Sequence, residues 1–172
     1  VMPDARTMSQ LESHIEQMGG YPTASILTND MHERSAYDAR TQYSVPVWAP
    51  QAGDGEYEGK PDRLYGAADR LPGGLVALPV HAAFAGDTLL AWTMPDGKVV
   101  IFAGDVIMER PDHLAFHGPS AHPKSASSDA DIAASVKVAL NPYRDRIAMV
   151  LSAHGGPFTG DVTAALGSLL DG

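Results

Sequence analysis

Apolar residues recur at helical spacing near the start of the chain, at Met8, Leu11, Ile15 and Met18, and the Gly19-Gly20 pair behind them supplies a stop. The pattern predicts a helix, followed by a short apolar strand at "ASIL", residues 24–27. "HERSAYDARTQY" (32–43) reads as a weaker amphipathic helix, and "VPVWAP" (45–50) as a second strand bounded by prolines. From 51 to 74 Gly, Asp, Glu and Pro dominate and periodicity fades, which predicts a surface excursion too short to be a domain. "LVALPV", "DTLLAWTM" and "KVVIFAGD" then form a series of apolar runs. Pro95, Asp96 and Gly97 between the last two are turn residues, so 87–105 is expected to be an antiparallel hairpin. Residues 111–128, with three histidines among Pro, Ser and Gly, read as a long loop. Ile132, Val136 and Leu140 lie four apart on one helical face, with Asp129 or Asp131 near the helix start. A last strand, "IAMVLSAHG", and a last helix, "DVTAALGSLL", follow. The result is an α/β chain with mixed sheets and no internal repeat.

Composition narrows the function classes. The 172 residues, with 44% hydrophobic content, fit one domain spanning 1–172 with a sizeable core. Twelve Lys and Arg against twenty-one Asp and Glu give a formal charge of -9, and no basic run is denser than "RDR" at 144–146. That balance argues against nucleic-acid and anionic-membrane partners. The chain has no cysteine, which excludes disulfides, thiolate metal ligands and cysteine nucleophiles. Any metal must be held by nitrogen and oxygen. No apolar run approaches the roughly 20 residues that span a bilayer, and no signal-peptide pattern opens the chain, so a cytoplasmic location is expected.

Candidate chemistry lies directly after the strands: "TNDMHER" after "SIL", Gly104-Asp105 after "VVIFA", "SAHGGP" after "MVL", and His81 after "LPV". Loops at strand ends are where rigid scaffolds carry function. In order and character these segments resemble the metallo-β-lactamase fold superfamily, over most of the chain from about residue 3. "PDGKVVIFAGDVI" and "VLSAHGGPFTGD" are the most specific pieces. The resemblance implies an αββα sandwich, with Asp105 at the family's metal-bridging aspartate and His154 at its last metal histidine. His81 falls near the middle histidine, although five positions rather than three separate it from Gly86.

The stretch "SILTNDMHERSA" (25–36) departs from the family's THxHxDH turn. With Thr28 matched, Asn29, Met31, Glu33 and Arg34 stand where two histidines, an aspartate and a third histidine are found. A thioether is a poor zinc ligand and a guanidinium repels a cation, so the ordinary two-metal cage cannot form from these residues. A slip of one position brings Asp30 and His32 into an alternating pair, and Glu33 retains a carboxylate. A rebuilt single-metal site from His32 or Glu33 with His81, Asp105 and His154 is one reading. Another makes Arg34 a surrogate cation that neutralises Asp105. Against these stand plainer roles: Asp105 as a helix cap or turn residue, His32 and Glu33 as ordinary first-turn residues, Arg34 as a solvated cation on a helix face. His113, His117 and His122 read as exposed loop histidines.

The family's opening strands have no counterpart here, and "VMPDA" resembles their tail. An N-terminally truncated sandwich would leave an open sheet edge, from which a homo-oligomer is expected. Two functions are therefore expected in competition. One is a divergent hydrolase with at most one divalent ion, zinc, iron or manganese, acting on a small-molecule substrate through a water whose pKa the metal lowers to about 7. The other is a non-catalytic member of the fold, without metal, that binds a small molecule or a protein.

Overall fold

A computed structural model describes residues 5–31, 33–117, 127–158 and 160–171. In chain order the elements are α1 (Ala5–Met18), β1 (Ser25–Ile26), α2 (Arg34–Tyr43), β2 (Val47–Pro50), β3 (Arg63–Tyr65), β4 (Val76–Pro79), β5 (Thr88–Thr93), β6 (Val99–Gly104), β7 (Ile107–Glu109), β8 (Leu114–Phe116), α3 (Asp129–Leu140), β9 (Ile147–Ser152), β10 (Pro157–Phe158) and α4 (Val162–Asp171). Short 3-10 turns at Gln51–Gly53, Pro72–Gly74 and Asn141–Arg146 join them.

Two main sheets result. The smaller is parallel, in the order β1-β2-β3, with Ser25 opposite Val47 and Trp48 opposite Arg63. The larger has the order β10-β9-β6-β5-β4, antiparallel throughout except for the β6–β9 pair. β7 and β8 form a separate antiparallel ribbon.

Strand alternation sorts the side chains into layers. On the outer face of the small sheet, Leu27, Val47 and Ala49 pack with Ala36 of α2. Between the sheets lie Tyr65, Ala77 and Leu90, joined by Ile26, Trp48 and Phe102. On the far face of the large sheet, Leu89, Ala91, Val99, Ile101 and Ala103 meet Ile132, Val136 and Leu140 of α3 and Val162, Leu166 and Leu170 of α4. The helical stripe expected at 132, 136 and 140 is almost wholly buried, and truncating Ile132 or Leu140 to Ala costs about 2–5 kcal/mol. The arrangement is the αββα sandwich. Ser128 caps α3 through a capping box with Asp131, and Asp129 and Asp131 both lie in the first turn, where the sequence placed them.

Two stretches carry more structure than their composition suggests. The 51–74 excursion contains β3, whose register is fixed by Asp62: its carboxylate accepts the Val47 N–H at 2.8 Å while its own N–H donates to the Val47 carbonyl. The expected loop at 111–128 contains β8, paired with β7. Both strands are three residues long, too short for a period of two to register. No helix among the described residues is long and apolar enough to cross a membrane.

Candidate functional site

β1 and β2 run parallel, as do β6 and β9, so the loops after β1, β6 and β9 gather at one edge of the sandwich. Close backbone approach there depends on Gly104. Its φ is 52°, and a Cβ on it would lie 2.5 Å from Thr28 Oγ1. The Ala153 N–H donates to the Gly104 carbonyl at 2.9 Å, and the Thr88 N–H to the Thr28 carbonyl at 2.9 Å. These bonds tie the ends of β1, β6 and β9 to the start of β5. On the β9 side the Glu109 carboxylate accepts the Gly156 N–H at 3.1 Å, and a Cβ on Gly155 would collide with the same side chain.

Asp105 and His154 come together here. Asp105 is buried, and its Oδ1 lies 3.0 Å from His154 Nε2. The His154 side chain is 38% exposed and faces a small cleft of about 150 Å³ lined also by Thr28, Asn29 and Met31. The other oxygen, Asp105 Oδ2, accepts from Asn29 Nδ2 at 2.9 Å. Asn29 Nδ2 donates as well to Asp87 Oδ1 at 3.0 Å, and Asn29 Oδ1 accepts the Met31 N–H at 3.0 Å. This orientation of the amide is the one that gives every partner a complement, because both carboxylates need hydrogens and the backbone N–H needs an acceptor. Asp87 Oδ2 accepts the Phe84 N–H at 2.8 Å. Burial pushes the Asp87 carboxyl up to about 6, only partly opposed by the Phe84 and Asn29 hydrogen bonds, and nearby Asp105 adds to the rise.

The other sequence candidates are placed differently. His81 is exposed beyond the end of β4, where its backbone N–H donates to Ser135 Oγ at 2.8 Å, and it takes no part in the cluster. The segment after it turns back through the Val80 N–H bond to the Asp87 carbonyl, so the side chain delivered to the cleft is Asp87. Glu33 is buried with both carboxylate oxygens engaged by the backbone N–H groups of Glu58 and Gly59, the latter at 3.0 Å. It anchors the 58–59 loop rather than facing Asp105. His32 lies outside the described residues. Arg34 begins α2, but its side chain is not described. Among the described residues, the side-chain amide bonded to Asp105 is that of Asn29.

Two participants escaped the sequence reading. Asp87 follows Gly86 just before a strand, a Gly-Asp pair like Gly104-Asp105, and that repetition was the available signal. His117, expected to be an exposed loop residue, is half-buried at the end of β8. Its N–H donates to the Val106 carbonyl at 3.1 Å, and its ring meets that of His154 edge to face, with centroids 5.3 Å apart. His113 is exposed and paired with Asp112, and His122 lies outside the described residues.

The donor set is of a kind that suits a divalent ion. Carboxylate oxygen and imidazole nitrogen are ligands that zinc, iron and manganese accept. The space between Asp87 and Asp105, where a second cation would join the carboxylates, holds the Asn29 NH₂ group. Met31 offers a thioether.

No protein-family model matches the chain, and no curated protein matches it at a significant level. Solved structures do match. A metallo-β-lactamase from Pontibacter korlensis aligns with a TM-score of 0.66 and 14% identity, covering 97% of this chain and 76% of that one. One from Hirschia baltica gives 0.66 and 15%, with the same coverage. The DIM-1 metallo-β-lactamase gives 0.67 and 18%, covering 96% of this chain and 75% of that one. The chain has the metallo-β-lactamase fold, as its Gly-Asp and Ala-His-Gly segments suggested.

Proposed function

We propose that this chain is a divergent metal-dependent hydrolase of small molecules, working with a single divalent ion held by Asp105 and His154. The observation that carries the reading is their 3.0 Å approach at the strand ends, with the carboxylate buried and the imidazole open to the cleft. A divalent ion bound there would supply a Lewis acid and lower the pKa of an attacking water.

The chain's own groups have definite tasks in this scheme. Asn29 holds the Asp105 carboxylate through Oδ2, which leaves Oδ1 directed toward His154. The Ser152 hydroxyl accepts the His154 N–H at 3.1 Å and fixes the turn that presents the imidazole. Asp87, whose carboxyl is raised to about 6, can exchange a proton near neutral pH behind the Asn29 amide. The cleft of about 150 Å³ favours small reacting groups such as esters, thioesters, lactams or phosphoesters.

Hydrolysis of a panel of chromogenic substrates of these four classes tests the reading. Activity should vanish with a chelator, return with zinc, iron or manganese, and be lost in Asp105→Asn and His154→Gln. Activity that survives chelation and both substitutions contradicts it. The Asn29 amide favours one second reading, a non-catalytic binding module, because it already supplies hydrogens to both carboxylates without any cation. In that case the panel is inert under every metal condition.

A further inference from the structure

We propose that His117 is the third protein ligand of the ion, so that Asp105, His117 and His154 form a two-histidine, one-carboxylate set. The proposal rests on the single-ion reading and specifies how this chain completes the site.

Three observations support it. First, each of the three residues offers one ligand atom, and these atoms all lie within 4.8 Å of one another. Among the described residues this is the one such group of three histidines, cysteines or acids. Second, the spacing of the rings is right. Two imidazoles bound to one ion at about 2.0–2.1 Å place their centroids about 3.2 Å from it, hence about 5.2 Å apart at a tetrahedral angle. The His117 and His154 centroids are 5.3 Å apart. The 3.0 Å between Asp105 Oδ1 and His154 Nε2 is likewise close to the roughly 3.3 Å edge of such a tetrahedron.

Third, His117 is held by the ribbon and its neighbours. Its backbone N–H bonds the Val106 carbonyl, one residue beyond Asp105, so β7 and β8 fold its ring back over the end of β6. The rings of Phe84 and His117 also pack in a T-shaped contact, with centroids 6.0 Å apart.

The ligand field has therefore shifted across the cleft. The β1 side contributes an amide, a thioether and a carboxylate tied to the 58–59 loop, while the β7–β8 ribbon contributes an imidazole. Two nitrogens and one oxygen would leave at least one coordination position for water or substrate, and two of the three ligands, Asp105 and His154, line the cleft shared with Thr28, Asn29 and Met31. His117 acts as a ligand in this account, and the hairpin that carries it becomes part of the metal site.

Zinc titration of the chelator-stripped full chain, followed by calorimetry and by nitrogen-15 spectra of the histidine rings, tests this. The wild type should bind one zinc. His117→Gln should bind it about tenfold or more weakly, since losing even an outer-shell partner brings that loss, and His81→Gln should match the wild type. In the wild type, a ring nitrogen of His117 should shift on zinc addition together with one of His154, which keeps the proposal testable if His117→Gln fails to fold. One zinc bound with unchanged affinity in a folded His117→Gln, or an unshifted His117 ring, overturns the His117 assignment and leaves the single-ion reading standing. No zinc binding by the wild type overturns both.

Discussion

Asn29 places its side-chain nitrogen 2.9 Å from Asp105 Oδ2, and the same nitrogen lies 3.0 Å from a second buried carboxylate, Asp87. One neutral amide thus serves two acids that would otherwise face each other with nothing between them. Asn29→Ala should destabilise the chelator-treated protein by about 1–3 kcal/mol, the usual penalty for stranding buried acceptors. Denaturant titration reads the loss. A double-mutant cycle with Asp105→Asn should be non-additive, because the two side chains share one interaction. Additivity would mean the contact contributes nothing of its own.

Asp87 sets a pH dependence of definite sign. Burial holds its folded carboxyl at about 6 against an ordinary aspartate value of 3.8, so the folded state holds its proton more tightly than the unfolded chain. The favourable contribution is complete below about pH 4 and is lost as pH rises through 6, for a change on the order of 3 kcal/mol. The stability of Asp87→Asn relative to wild type should therefore increase between pH 4 and 6.5 and level off above. Melting curves of both proteins across that range, with chelator present, give the difference. A flat difference would place the Asp87 carboxyl at its ordinary value.

Glu33 anchors backbone rather than metal in this structure. Glu33→Ala removes the acceptor of two N–H bonds and should cost about 1.5–3 kcal/mol for a charged partner. Amide exchange at Glu58 and Gly59 should accelerate, while zinc affinity stays at the wild-type value. Loss of zinc binding in a folded Glu33→Ala would instead make Glu33 a ligand.

Long periodic segments were legible from the chain. The α3 stripe at Ile132, Val136 and Leu140 and the β5–β6 hairpin at Pro95-Asp96-Gly97 were both readable, because local pattern and local turn chemistry determine them. β3 and β8 were not, since a three-residue strand owes its existence to partners such as Asp62 and Val47 rather than to its own sequence. The same division runs through the site. Asp105 and His154 follow strands in recognisable Gly-Asp and Ala-His-Gly contexts. His117 stands among prolines and other histidines, and only the fold back through the Val106 carbonyl brings it to them. His81 had the expected residue type, but the turn before β5 delivers Asp87 instead. Asn29 looked like a lost ligand; its value as a double donor depends on two acids more than fifty positions away.

The most direct test of the account is the metal content of the full chain purified without chelator. Elemental analysis should find close to one zinc, iron or manganese per chain, and much less in Asp105→Ala and in His154→Ala. Two ions per chain would show that the Asn29 amide does not occupy the second cation's place. No metal, together with no thermal shift on adding any of the three ions, would contradict the single-ion site itself.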